Sequence, residues 1–223
     1  MNQNADNHRE TVYIFALYFF LIAGGLWHIL NVFQTAMRVL ATPLILGLAV
    51  WVFLDIYKKA SAKRNQALWA IGVVFLSFLV ELLGVKTGKI FGHYAYGDTL
   101  SPKLLDVPIA IGFAWLVMLL SSIAIVNKVR FCGVGEHRVL CSGLISLLMV
   151  LFDSVMEPAA VKLGYWHWEQ NAIPIQNYIV WFVISFIFSF AALKLNLFNH
   201  TKSRIAIHAY FAQLIYFALV ILK

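Results

Sequence analysis

The chain has 223 residues, of which 62% are hydrophobic and only 12% charged. That is about half the charge of an average soluble domain, and it excludes a fully water-exposed surface. The net charge of +7 does not signal a nucleic-acid partner, because the lysines and arginines sit in short connectors between apolar runs rather than in a stripe. The runs are each about as long as the hydrocarbon of a bilayer is thick. The expected fold is therefore all-α: one polytopic transmembrane helix bundle over residues 1–223, with about seven spans.

In chain order the spans are predicted at 11–34, 40–57, 67–83, 107–127, 138–163, 175–196 and 204–222. The leading MNQNADNHRE is polar and of mixed charge. No small-residue cleavage site follows the first apolar run, so that run reads as a retained span and not a signal peptide. The second run is short and has Pro43 near its start, where a first helical turn tolerates proline. If it fails to cross, the orientation changes. Two long connectors, at about 84–106 and 164–174, fall on the same side. They read GVKTGKIFGHYAYGDTLSPKLLDVP and GYWHWEQNAIP, too rich in aromatics for ordinary hydrated loops, which predicts that they fold back over the bundle mouth. Gly84, Gly88 and Gly92 recur every four residues but straddle a helix end, so they suit close packing or a turn. No Walker sequence follows them.

Six of the 17 lysines and arginines (Arg38, Lys86, Lys89, Lys103, Lys162 and Lys223) fall on one side, and the remaining eleven, Arg130 and Lys202 among them, on the other. The excess favours an amino terminus in the cytoplasm and a carboxyl terminus outside, as for a protein of a bacterial cytoplasmic membrane. Cys132 and Cys141 have neither zinc spacing nor an evident disulfide role. No internal repeat stands out.

Ionisable groups within the spans are the sharper signal, since a carboxylate in hydrocarbon costs several kcal/mol unless it faces the bundle interior and finds a partner. Glu81, Asp153 and Glu157 qualify. Asp153 and Glu157 are spaced i, i+4 on one helical face, and Pro158 follows. At a rise of about 1.5 Å per residue the three acids share a depth in the outer half of the bundle. His28, Asn31, Gln176 and Asn177 belong to that half too. A single buried acid is as readily a helix-packing bond as a functional group, but three at one level argue for a site. His28 alone reads as a hydrogen-bonded packing residue, and most span-end Trp and Tyr read as membrane anchors. Tyr94, Tyr96, Trp166 and Trp168, in the two unusual connectors, are the functional candidates.

One ordered set of residues carries a resemblance: Glu81, Gly88, Phe91, Gly92, Tyr94, Tyr96, Pro102, Val107 and Pro108, then Asp153, Pro158, Gly164, Trp166, Trp168, Pro174, Asn177 and Trp181. In that order they resemble the membrane carotenoid-biosynthesis family, which includes carotenoid 1,2-hydratases of the bisanhydrobacterioruberin hydratase kind. The resemblance covers about residues 70–195. It implies hydration of the terminal C1=C2 double bond of an acyclic carotenoid end group, with a lipophilic carotenoid as substrate, membrane lipid as surroundings, and no organic cofactor or metal.

An unactivated alkene is a poor base, so a general acid must protonate it to a tertiary cation. Burial and a neighbouring carboxylate both favour the protonated form of a carboxyl group. Asp153 or Glu157 is the expected proton donor, with Glu81 or the remaining acid positioning the attacking water and taking its proton. The aromatic faces of Tyr94, Tyr96, Trp166 and Trp168 can stabilise the cation, and His93 and Asn177 complete the expected substrate-binding set. An end-group cyclase would use the same first step but exclude water. An intramembrane magnesium prenyltransferase is disfavoured, since Asp153 and Glu157 form the only acid pair of that spacing within a span. From another class, the bundle could be a non-catalytic carrier or assembly factor for a lipophilic pigment.

Overall fold

The computed structural model describes residues 3–60, 62–129, 137–198 and 203–223. Arg130, Cys132 and Lys202 lie outside them. Among the described residues there are seven long helices: α1 (Gln3–Ile29), α2 (Gln34–Lys58), α3 (Lys63–Thr87), α4 (Ala110–Lys128), α5 (Arg138–Lys162), α6 (Ile175–Lys194) and α7 (Arg204–Ile221). All seven are long and apolar enough to cross a membrane. Helices suit that solvent because each bonds its own backbone polar groups internally.

Lipid explains an outer surface that water would not tolerate. Phe15, Phe19 and Phe20 on α1, Val39 and Leu44 on α2, and Ile71 and Phe75 on α3 all point outward and exposed. α4 is the central element, with 78% of its apolar stretch buried against 28% for each of the first three helices. It packs on α2, α3, α5 and α7, and its small residues Ala110, Gly112, Ser121, Ser122 and Ala124 are all buried, which lets neighbouring backbones approach closely. Buried polar side chains bridge helices elsewhere: Trp69 Nε1 donates to the Phe188 carbonyl at 3.1 Å, and the Tyr210 hydroxyl to that of Leu148 at 2.7 Å.

Two of the expected span ends are corrected by the same device. Asn31 takes a left-handed φ of 55°, its N–H bonds the His28 carbonyl at 3.2 Å, and the Val32 N–H bonds that of Trp27 at 3.0 Å. This pair of bonds is a Schellman turn, in which asparagine can replace the usual glycine. It stops α1 at Ile29, short of residue 34, and makes Asn31 a terminator rather than a pocket group. α2 then begins at Gln34 rather than 40, has 25 residues, and carries Pro43 in its interior rather than in its first turn. Asn196, with φ 54°, ends α6 in the same way through the Leu197 N–H bond to Ala192. Cys141, near the start of α5, is buried and is not a free thiol, a role not expected from its spacing.

The helices run in alternate directions, so both long connectors emerge at one end. The first holds strand β1 (Tyr94–Tyr96) and a small hairpin of β2 (Lys103–Leu104) and β3 (Val107–Pro108), and the second holds β4 (Trp166–Trp168). β1 and β4 pair antiparallel, Tyr94 opposite Trp168 and Tyr96 opposite Trp166. At the hairpin tip Lys86 reaches from α3 to Asp106, with Nζ 2.7 Å from Oδ2. The connectors therefore form a two-stranded cover on the bundle mouth.

Candidate active site

The cover is built by two glycine-terminated helix ends. α5 closes with Gly164 at φ +68°, its N–H on the Val161 carbonyl and the Tyr165 N–H on that of Ala160. A side chain would strain this left-handed position. Where the connectors meet, Gly97 lies so close to Gly164 that a Cβ added to it would strike the Gly164 carbonyl oxygen. Of the earlier series, Gly84 packs beneath Phe91 and Tyr94, while Gly88 and Gly92 take positive φ. Packing and turns account for all three.

Strand alternation then decides which side chains enter the bundle. Tyr94, Tyr96, Trp166 and Trp168 share the inward face, while Ala95 and His167 point out. All four inward groups donate to carboxylates. The Tyr94 and Tyr96 hydroxyls reach Glu81 Oε2 at 2.5 and 2.8 Å, and Trp115 Nε1 on α4 reaches Glu81 Oε1 at 3.1 Å. Trp166 and Trp168 Nε1 both reach Glu157 Oε2 at 2.9 Å. Asn177, in the first turn of α6, donates from Nδ2 to Asp153 Oδ2 at 2.8 Å and to Glu157 Oε1 at 3.3 Å. One amide thus touches both acids of the i, i+4 pair.

Glu81, Asp153 and Glu157 are all buried. Hydrogen bonds to a charged partner contribute about 1.5–3 kcal/mol each. Three of them match in order the several kcal/mol that burial of a carboxylate costs. Glu81 has three good donors, and Glu157 has two plus the longer amide contact. Asp153 has one, and its Oδ1, fully buried, has no hydrogen-bond partner among the described residues. Burial first, then the charge of Glu81, push the Tyr94 and Tyr96 phenols well above the ordinary tyrosine range. Both keep their protons and stay donors.

Between these groups lies a cavity of about 80 Å³. Glu81 and Glu157 both line it, with Asn177, the four aromatics of the cover, and Trp115 and Trp181. Those last two rings stack at 4.0 Å and 19°. Asp153 stands behind Asn177 and is not part of the wall. Of the expected substrate-binding residues the structure brings Tyr94, Tyr96, Trp166, Trp168 and Asn177 to the cavity and leaves His93 outside it. His93 is 70% exposed, with Nδ1 3.8 Å from the Glu169 carboxylate. Gln176 instead pins the first connector, donating to the Lys89 and Ile90 carbonyls at 2.5 and 2.7 Å. His28 is hydrogen-bonded away from the acids, with Nδ1 3.3 Å from Gln34 Oε1 and Nε2 3.1 Å from the Tyr216 hydroxyl.

The residues that pattern alone does not select are Trp115 and Tyr165. An indole at mid-span is the signal for the first, because its N–H must find a partner in an apolar interior. Among the described residues no group of three or more His, Cys, Asp or Glu is placed to hold a metal ion.

Comparison with known proteins adds two findings. A family described as "Carotenoid biosynthesis protein" matches residues 32–222, wider than the expected 70–195 and including α2. The chain is similar to the bisanhydrobacterioruberin hydratase of Haloarcula japonica, 32% identical over 123 residues, which make up 53% of this chain and 41% of that protein. The match therefore spans less than half of that relative. No solved structure matches significantly.

Proposed function

Since this integral membrane protein belongs to the carotenoid biosynthesis protein family, we propose that it is a carotenoid 1,2-hydratase, adding water across the terminal C1=C2 bond of an acyclic end group. One observation carries the reading: Glu81 and Glu157 line a single buried cavity, each cradled by aromatic donors. The hydratase name of the relative points the same way. With an amino terminus in the cytoplasm, as the lysine and arginine distribution favours, the cavity lies toward the outer leaflet.

Glu157 is the proton donor. Its Oε1 has only the 3.3 Å amide contact, which leaves room for a proton on that oxygen. Transfer of the proton to C2 breaks the double bond and leaves a tertiary cation at C1. The charge that appears on Glu157 meets two indole N–H groups already aimed at Oε2, a preorganised arrangement of the oxyanion-hole kind. The stacked faces of Trp115 and Trp181, with the tyrosines, border the cation. The oxygen of a water held by Glu81 adds to C1, and Glu81 takes the released proton. Return of that proton to Glu157 closes the cycle, so alkene plus water gives a tertiary alcohol with no net proton consumed. Asp153 acts by holding Asn177.

A cavity of about 80 Å³ is too small for a whole carotenoid, so in this reading only the chain end enters and the polyene stays in lipid. Expression in cells that accumulate lycopene or another acyclic carotenoid, with pigments examined by mass, tests the reading. A product heavier by one water is expected. An isomer of unchanged mass would mean cyclisation, and unaltered pigment with every acyclic substrate offered would count against both.

A further inference from the structure

Hydration consumes water at a carbon inside a buried cavity, so the water needs a route that the polyene does not fill. A second pocket, of about 60 Å³, adjoins the first at the same end of the bundle. Its lining is polar: His28 at the end of α1, Gln34 and Arg38 at the start of α2, Thr99 in the first connector and Lys162 at the end of α5. Of these, Arg38 and Lys162 are exposed and His28 is buried.

One side chain lines both pockets. Tyr165, 8% exposed, forms part of the acid cavity and part of the polar pocket. Its backbone is fixed on both sides, the N–H by Ala160 and the carbonyl by Gly97, each at 2.9 Å. Its phenol lies beside that of Tyr216, the Tyr216 hydroxyl lies 3.1 Å from His28 Nε2, and His28 Nδ1 lies 3.3 Å from Gln34 Oε1. A polar chain thus leads from the partly exposed Gln34 to the wall of the acid cavity. None of its members takes part in holding Glu81, Asp153 or Glu157. Burial pushes the Tyr165 phenol up to about 12, so it remains a hydroxyl that can pass hydrogen bonds in either direction.

We infer that the polar pocket is the water entrance to the acid cavity, and that Tyr165 is the positioning residue that gates it. The inference rests on the hydration reading, so its test has one arm that does not need turnover. In the full-length membrane-embedded chain, His28→Cys and Ile14→Cys place thiols in the same helix at nearly equal burial, 5% and 7% for the native residues. A small water-soluble methanethiosulfonate, scored against the parent chain, should modify the first roughly tenfold faster, since thiol reactivity follows access. Equal rates overturn the entrance whatever the enzyme does.

The second arm reads product partition. Tyr165→Phe and Tyr216→Phe keep the rings but break the chain. The ratio of hydrated product to isomers of unchanged mass should fall about fivefold, the scale of one lost hydrogen bond, whatever the total turned over. A purely structural defect lowers both products together. If the ratio stays at the parent value, the gate is wrong; if the parent converts no carotenoid, the hydration reading fails and the thiol rates alone decide whether the pocket is aqueous.

Discussion

The segments α3–β1 and α5–β4 follow one plan with different side chains. In each, a buried glutamate precedes a left-handed glycine by seven residues, Glu81 before Gly88 and Glu157 before Gly164. In each, a strand returns over the helix end with two aromatic donors at i and i+2, and both bond the glutamate of their own helix. The difference lies in the strand's donor: β1 offers phenol O–H groups to Glu81, beside the Trp115 indole from α4, and β4 offers indole N–H groups to Glu157. A hydroxyl can turn to accept as well as donate, whereas an indole N–H can only donate. The tyrosine cradle therefore accommodates a glutamate that gains a proton, and the tryptophan cradle favours one that loses it. The two halves are chemically complementary where their backbones are alike.

Breaking the comparison at its centre gives the largest effect. Glu157→Gln preserves shape and removes the proton, and carotenoid hydration measured by product mass should fall about 10³–10⁴-fold. Glu81→Gln should cost about 10²-fold, both within the range of general acid–base catalysis. A Glu157→Gln variant that keeps most of its activity would remove Glu157 as donor. Next come the cradles. Trp166→Phe or Trp168→Phe deletes a donor aimed at developing charge, about 1.5–3 kcal/mol and so roughly 10- to 100-fold in rate. Tyr94→Phe or Tyr96→Phe leaves Glu81 two other donors and should cost less, about tenfold or under. If the tyrosine changes hurt more than the tryptophan changes, the roles of the two glutamates are reversed. The smallest effect belongs to Asp153→Asn. With its Oδ1 unpartnered and its place behind Asn177, the change should stay within about fivefold, the scale of one hydrogen bond. Loss of all product in that variant would make Asp153 the acid.

Much of this was legible in the chain, for identifiable reasons. Seven spans follow from the length of helix that hydrocarbon demands, and three carboxylates announce themselves by lying in apolar runs. The turn after α1 was hidden because Asn31 and Phe33 adopt left-handed backbone that no periodicity reports. Shared depth puts His28 in the same half as the acids, but depth says nothing of position around the bundle axis, and Tyr165 stands between the two pockets. The pairing of β1 with β4 was invisible because strands of three residues are too short to signal themselves. Their alternation was nonetheless present in YAY and WHW, and the same alternation places His93, next to Tyr94, on the outer face.

The locality of each cradle bears on how the protein is made. Glu81 meets its phenols 13 and 15 residues further along the chain, and Glu157 its indoles 9 and 11 residues along. Neither glutamate has to wait in lipid for a distant helix to be inserted before its first partners arrive. The pairing of β1 with β4 joins segments about 70 residues apart, and local contacts form before distant ones. During biogenesis the two half-sites are each protected as they emerge, and the chamber between them closes only when the second strand docks on the first.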